Sequence, residues 1–297
     1  MVDISVIVAA PDAGSNLREC LSALASQLQP PELEIVVVDG SERRDVEQLI
    51  TDFPAARFLR LSASNSIPRL WSAGIAATQG RIVALTIENC APSPDWVQKM
   101  LTAHEAPWPA VGGAIEIGPN ASLVDWAIYF CRYSSHILPF SSRFLDDLPG
   151  DNCSYKHEAL DQTRDLMSDG FWETFINYDM RRRGQKLLSD PSPVVTYLGG
   201  IPGWQFFRRR YIHGRYFSAR RARDFTSAQR LMRAAASPII LLLLLNRITG
   251  RVWRNGRHRS KYLTALPLVI CFLLAWTAGE GLGYVTGPKA IKAPGRD

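Results

Sequence analysis

The stretch ALTIENCAPSPDW, residues 84–96, closes an apolar run on Glu88 and Asn89 and then turns through Cys90, two prolines and Trp96. A carboxylate at the end of a buried strand is placed to meet a metal ion or a phosphate, because hard cations prefer oxygen ligands. Two further strand-like runs end in the same way. ISVIVAAPD closes on Pro11 and Asp12, and LEIVVVDGS on Asp39 and Gly40. In open α/β sheets ligands bind beyond the carboxyl ends of the strands, so these residues are expected to converge on one crevice. Glu173, in DGFWETF, is a different kind of candidate, flanked by Phe171, Trp172 and Phe175. Aromatic surroundings favour a neutral carboxyl and so suit a general base working near neutral pH. Asp169 is its rival, four residues earlier on the same face if the helix starts early, or acting as the helix N-cap. The plainer reading of Glu173 is a first-turn acid that complements the helix dipole.

The elements that must position these groups follow from periodicity. Residues 2–9 and 33–39 are buried strand runs, and between them Leu17, Leu21 and Leu24 recur at helical spacing. A helix at 45–52, a short strand in ARFLRLS and a helix at 68–78 precede GRIVALTIE, residues 80–88, which is the strongest strand signal. Apolar strands alternating with helices predict a parallel sheet covered on both faces. Residues 92–105 read as a helix beginning near Pro94 and Asp95, AVGGAIEI (110–117) as a strand and ASLVDWAIYFCRYSS as an aromatic amphipathic helix. LPGDNCSYKHEAL reads as a loop and GFWETFINYDMRRRGQKLL as a helix.

Charge divides the chain. Residues 1–200 carry 16 Lys and Arg against 25 Asp and Glu, residues 201–261 carry 15 against 1, and the last 36 carry 3 against 2. An acidic body thus precedes a basic neck, which calls for an anionic partner. In the neck, WQFFRRRYIHGRYFSARRAR interleaves Arg with aromatics. Because an apolar segment follows, an interfacial helix on lipid headgroups is favoured over nucleic acid, with Trp204, Phe206, Phe207, Tyr211 and Phe217 at headgroup level. YLTALPLVICFLLAWTAGEGLGYV (262–285) has no charge before Glu280 and suits a membrane span. The apolar run 234–245 is only 12 residues, and Arg247, Arg251, Arg254, Arg257, Arg259 and Lys261 follow it. The positive-inside rule keeps that loop cytoplasmic, so the first segment is expected to lie in the interface or re-enter. The opening residues read as a strand without a basic leader, so no signal peptide is expected. Five cysteines form no CxxC pair and no zinc spacing, as in a reducing compartment.

Taken in order, ISVIVAAPD, EIVVVDGS, GIAATQGRIVALTIEN, GDNCSYKHEAL and FWETFINYDMRRRGQKLLSDP resemble the family 2 glycosyltransferases over roughly residues 3–200. AWTAGEGLGYVTGP resembles the tail of membrane-attached bacterial members. The resemblance implies a GT-A, Rossmann-like mixed sheet with C-terminal membrane-associated helices. The catalytic domain would span 1–200, with a nucleotide-sugar half to about 110 and an acceptor half from 111. An interfacial helix at 201–233, a hydrophobic hairpin at 234–285 and a tail at 286–297 would follow.

The activity implied is inverting transfer of a sugar from a nucleotide-sugar to a lipid-linked or envelope saccharide acceptor, at the cytoplasmic face of the membrane. Asp39 would contact the base or ribose, and Pro11 and Asp12 would shape the first loop. Glu173 or Asp169 would be the base, and Asp151, Asn152 and Trp172 would form the acceptor side. The family's Asp-x-Asp falls on Ile87, Glu88 and Asn89, so Mg²⁺ or Mn²⁺ would rest on Glu88 and Asn89. The alternative is neutralisation of the diphosphate by Arg69, Arg208 or Arg209. Gln205, Arg208 and Arg209 loosely match a Gln-x-x-Arg-Trp motif at the diphosphate or interface. A same-fold nucleotidyltransferase and a non-catalytic nucleotide-sugar binder remain open on these residues alone.

Overall fold

The computed structural model describes residues 2–28, 32–43, 46–61 and 66–287, so the expected tail from 288 onward lies outside the described residues. The chain divides into two compact units. One comprises residues up to 118 together with 136–198, and the other 119–135 together with 199 onward.

The first unit is built on β1 (Ile4–Ala10), α1 (Ser15–Ala25), β2 (Leu33–Asp39), α2 (Val46–Asp52), β3 (Ala56–Arg60), α3 (Ile67–Ala77) and β4 (Ile82–Ile87). After these come β5 (Cys90–Pro92), α4 (Trp96–Ala103) and β6 (Ala110–Ile117). β7 (Arg143–Leu145), β8 (Cys153–Lys156), α6 (His157–Asp161), α7 (Glu173–Arg182) and β9 (Leu187–Tyr197) complete it. In the second unit, α5 (Leu123–Tyr133) joins α8 (Gly203–Arg221), α9 (Ser227–Asn255) and α10 (Arg259–Thr286).

Among the described residues nine strands form one sheet, ordered β3-β2-β1-β4-β8-β6-β9-β5 with β7 on β9. All seven residues of β1 are buried, as are all six of β4, which marks central strands covered on both faces. α3 packs onto β1 so closely that Gly74 lies directly over the Ile7 side chain. β1 to β4 are mutually parallel, as periodicity predicts. Beyond β4 the sheet becomes mixed, as the resemblance implies. β8 runs antiparallel between β4 and β6, and β9 returns parallel to β6.

The expected loop 148–160 therefore contains a central strand. CSYK is too short to show a period, and its neighbours supply the pairing. The expected helix through Leu188 stops at Arg182. Gly184 adopts φ +79 just past the helix end, and Leu187 opens β9. The helix expected to begin near Pro94 and Asp95 does so: Asp95 is the N-cap and Trp96 the first residue of α4, just after Cys90–Pro92 pair with β9.

In the second unit α8 packs along α10, with Gly279 set against the Tyr211 carbonyl and Gly214 against that of Trp276. Phe206 meets Phe272 edge-on at 4.8 Å, and Arg210 lies over the Trp276 ring at 4.3 Å. Phe206 and Phe217 thus face α10, whereas Trp204 and Phe207 are exposed. The apolar run 234–245 lies within a longer helix that also carries Arg230, Arg233, Arg247, Arg251 and Arg254. α9 is one helix of 29 residues, opened by a Thr226–Gln229 capping box and ended by Gly256 at φ +85. α5, expected in the acceptor half, clusters with these helices.

Candidate active site

The end of β4 does not present its carboxylate outward. Glu88 is 2% exposed, and its Oε1 and Oε2 accept the backbone N–H groups of Asp12 at 3.1 Å and Gly14 at 2.8 Å. Its own N–H donates to the Ala9 carbonyl at 3.0 Å. Between the two anchored residues Ala13 takes φ +43, a left-handed conformation that costs a residue with a Cβ about 1 kcal/mol. Successive N–H groups around such a residue form an anion-binding concavity. Here the anion is the protein's own carboxylate. Burial, and behind it the Glu88 charge, push the Cys20 thiol well above its usual range.

Asp39 is also engaged. Its Oδ1 accepts the Ser41 N–H at 2.8 Å and the Ser41 hydroxyl at 2.6 Å, and its Oδ2 accepts Arg60 Nε at 3.3 Å. The Asn89 carbonyl accepts the Leu198 N–H at 2.8 Å. Asp12 is half-buried and Pro11 buried at the start of the same loop.

The opposite wall is assembled from residues far apart in sequence. Trp71, on α3, is buried and donates its indole N–H to the Thr86 carbonyl of β4 at 3.0 Å. Gly150 opens a 3-10 turn over Gly150–Asn152. A Cβ there would fall 2.6 Å from the Trp71 ring and 3.3 Å from the Glu173 carboxyl carbon. Glu173, Gly150 and Trp71 therefore meet at one point, with the buried Asp151 next to it in the turn.

Phe171 ties this wall to α3 by donating its N–H to the Pro68 carbonyl at 2.7 Å. Gly170, at φ +114 and packed on the Pro68–Arg69 backbone, leaves room for that approach. Arg69, in the first turn of α3, is consequently on the element against which the Glu173 turn leans. Trp172 is the N-cap of α7 and Glu173 its first residue. Asp169 belongs to neither the helix nor its cap, contrary to both readings offered for it.

Four residues that sequence reasoning did not single out hold α7 in place. The buried Tyr155 hydroxyl donates to Asn177 Oδ1 at 3.0 Å, and Asn177 Nδ2 donates to Asp147 Oδ1 at 2.6 Å. Asp147 Oδ2 accepts the Thr174 hydroxyl at 2.9 Å. Asp147 is exposed as a residue, yet burial of its carboxyl outweighs the donated hydrogen bonds and holds it above the usual carboxylate range. Asn177 lies four residues from Glu173 on the same helix face, the one signal that could have flagged it. Asn152 points inward. Its Oδ1 accepts Trp96 Nε1 at 2.8 Å, and its Nδ2 donates to the Ala114 and Pro193 carbonyls at 2.7 and 3.0 Å. It braces the Gly150–Asn152 turn from behind.

A metal held by this chain would need oxygen donors that the site does not assemble. Ile87 is apolar and buried, Asn89 offers a neutral amide, and each Glu88 oxygen already takes a backbone donor. Among the described residues no three His, Cys, Asp or Glu side chains come together in a metal-binding group. The donor set does not fit a resident divalent ion. Gln205, Arg208 and Arg209 lie on α8 in the second unit, with Arg208 exposed and the other two half-buried.

Comparison with known proteins gives three results. The model of the family described as "Glycosyl transferase family 2" matches residues 5–163. A search of curated proteins returns no match. Among solved structures the fold is similar to that of the mannosyltransferase PcManGT from Pyrobaculum calidifontis, in complex with GDP-Man and Mn²⁺. The TM-score is 0.57 and the identity 15%, with 93% of this chain and 86% of that one covered.

Proposed function

Because the chain belongs to glycosyl transferase family 2, we propose that it moves a sugar from a nucleotide-sugar donor to an acceptor hydroxyl with inversion, with Glu173 as the base. The fold is GT-A and the activity glycosyl transfer. The observation that carries the finer reading is the meeting of Glu173 with Gly150 and Trp71 at the carboxyl end of β4, the edge where such sheets bind ligands. Glu173 takes the acceptor hydroxyl proton as the acceptor oxygen attacks the anomeric carbon. The bond to the nucleoside diphosphate breaks on the opposite face, which inverts the centre. The nucleotide lies against the loop at Pro11–Asp12 and the end of β2 at Asp39, and the guanidinium of Arg69 offsets charge on the departing diphosphate. Asp151 and Trp172 border the acceptor.

The acceptor is membrane-borne, a lipid-linked or envelope saccharide. This is supported by two helices, α9 and α10, long and apolar enough to cross a membrane. At ~1.5 Å per residue each exceeds a ~30 Å hydrocarbon core. Leu231, Ile239, Leu242 and Leu243 of α9 are exposed, an apolar surface suited to lipid. Arg247 to Lys261 crowd the turn between the helices, which supports a cytoplasmic turn; with the catalytic unit on the same face, α9 lies in the interface or re-enters and α10 alone crosses.

The test is transfer and hydrolysis by the full chain in membranes, using UDP-, GDP- and dTDP-sugars, each with Mg²⁺, Mn²⁺ or EDTA. Turnover of at least one donor with inverted product is expected. Turnover of none, or a product of retained configuration, would sink the proposal.

A further inference from the structure

The one carboxylate within the stretch that matches the family's metal motif is spent on the fold. Glu88 is buried, and both its oxygens face the first loop, where they accept the N–H groups on either side of the left-handed Ala13. A concavity of that type at the start of a helix is otherwise open to an external anion, including a phosphate. Filling it from within fixes the path of residues 11–14, and this loop leads from β1 into α1 at the nucleotide edge. Nothing else at the end of β4 replaces the lost ligand, since Ile87 is apolar and Asn89 is neutral.

We propose that Glu88 is a positioning residue that acts as the internal anion of the donor loop, and that this chain contributes no protein carboxylate at the family's metal position to a divalent ion. Any divalent ion in the reaction arrives on the donor diphosphate. The proposal rests on the donor-binding reading above only for its affinity measurement.

The experiment has three readouts on the full chain, comparing wild type with Glu88→Gln. Glutamine keeps one acceptor but turns an amide N–H toward the second backbone donor. First, Mn²⁺ is titrated against wild-type protein without nucleotide and followed by electron paramagnetic resonance. No binding below about 1 mM is expected, against the micromolar affinities that several carboxylate ligands supply. This readout needs no variant. Second, hydrogen exchange of the amides at Asp12 and Gly14 is expected to quicken by roughly tenfold or more in the variant, as a local opening. Third, UDP and GDP affinity is expected to fall in the variant by the same factor in Mg²⁺ as in EDTA. Saturable Mn²⁺ binding that Glu88→Gln abolishes would overturn the proposal. So would an affinity loss confined to Mg²⁺, or unchanged exchange at residues 12 and 14. If wild type binds neither nucleotide, the donor reading fails, while the Mn²⁺ and exchange results still decide the role of Glu88.

Discussion

At the end of β4 the Glu88 side chain is 2% exposed and accepts two backbone N–H groups, while at the start of α7 Glu173 is half-buried with its carboxyl over the Gly150 turn. Both are glutamates at the same edge of the same sheet. The first is surrounded by its own unit's backbone donors, and the second opens a helix that a separate network holds. Tyr155, Asn177, Asp147 and Thr174 fix α7 without drawing on the Glu173 carboxyl. A carboxylate whose oxygens are claimed by the backbone stabilises a loop, and one positioned by its neighbours suits the base role proposed for Glu173.

This contrast is first testable as stability. Removing Glu88 leaves two N–H groups of a strained loop without their acceptor, and an orphaned buried donor costs ~1–3 kcal/mol. Glu88→Ala should therefore lose about 3 kcal/mol, and Glu173→Ala less than about 0.5 kcal/mol, in denaturant melts of the full chain. Equal losses would erase the distinction.

A smaller effect comes from below the sheet. His104 is buried beside the Ser154 hydroxyl at 2.8 Å, and burial, with the Lys156 charge behind it, lowers its pKa from 6.5 to about 4. The unfolded chain then binds more protons than the native one, so stability falls as pH drops below 6.5. Between pH 7 and pH 5 the loss should be about 2 kcal/mol, and His104→Asn should flatten that slope.

The smallest effect separates positioning from chemistry. Asn177→Ala breaks the link between Tyr155 and Asp147 and should cost about 1.5 kcal/mol. It should lower kcat several-fold with donor affinity unchanged, because α7 tilts while the nucleotide edge stays intact. A fall in donor affinity instead would place Asn177 elsewhere in the mechanism.

The strands of the first half could be read from sequence because each is a run of apolar residues long enough to declare itself. β1, β2 and β4 stand where periodicity places them. β8 could not be read, since four residues are too few to show a period, and Cys153, Ser154 and Tyr155 are buried where the strand pairs with β4 and β6. The positions of Asp39, Glu88 and Glu173 at element ends were legible. The partners of Glu88 were not, because Asp12 and Gly14 lie 76 and 74 residues away and donate through backbone atoms that carry no side-chain signal. Trp71 falls within the helix expected at 68–78 and is not singled out there. Its role in closing the site depends on Gly150 and Thr86, which only the folded sheet brings to it.

The most direct test of the account is turnover by Glu173→Gln with the donor that wild type uses, measured alongside donor affinity. A general base contributes ~10²- to 10⁴-fold, so kcat should fall by about 10³ while the nucleotide still binds as in wild type. Undiminished turnover in a folded Glu173→Gln protein would contradict the assignment of the two glutamates.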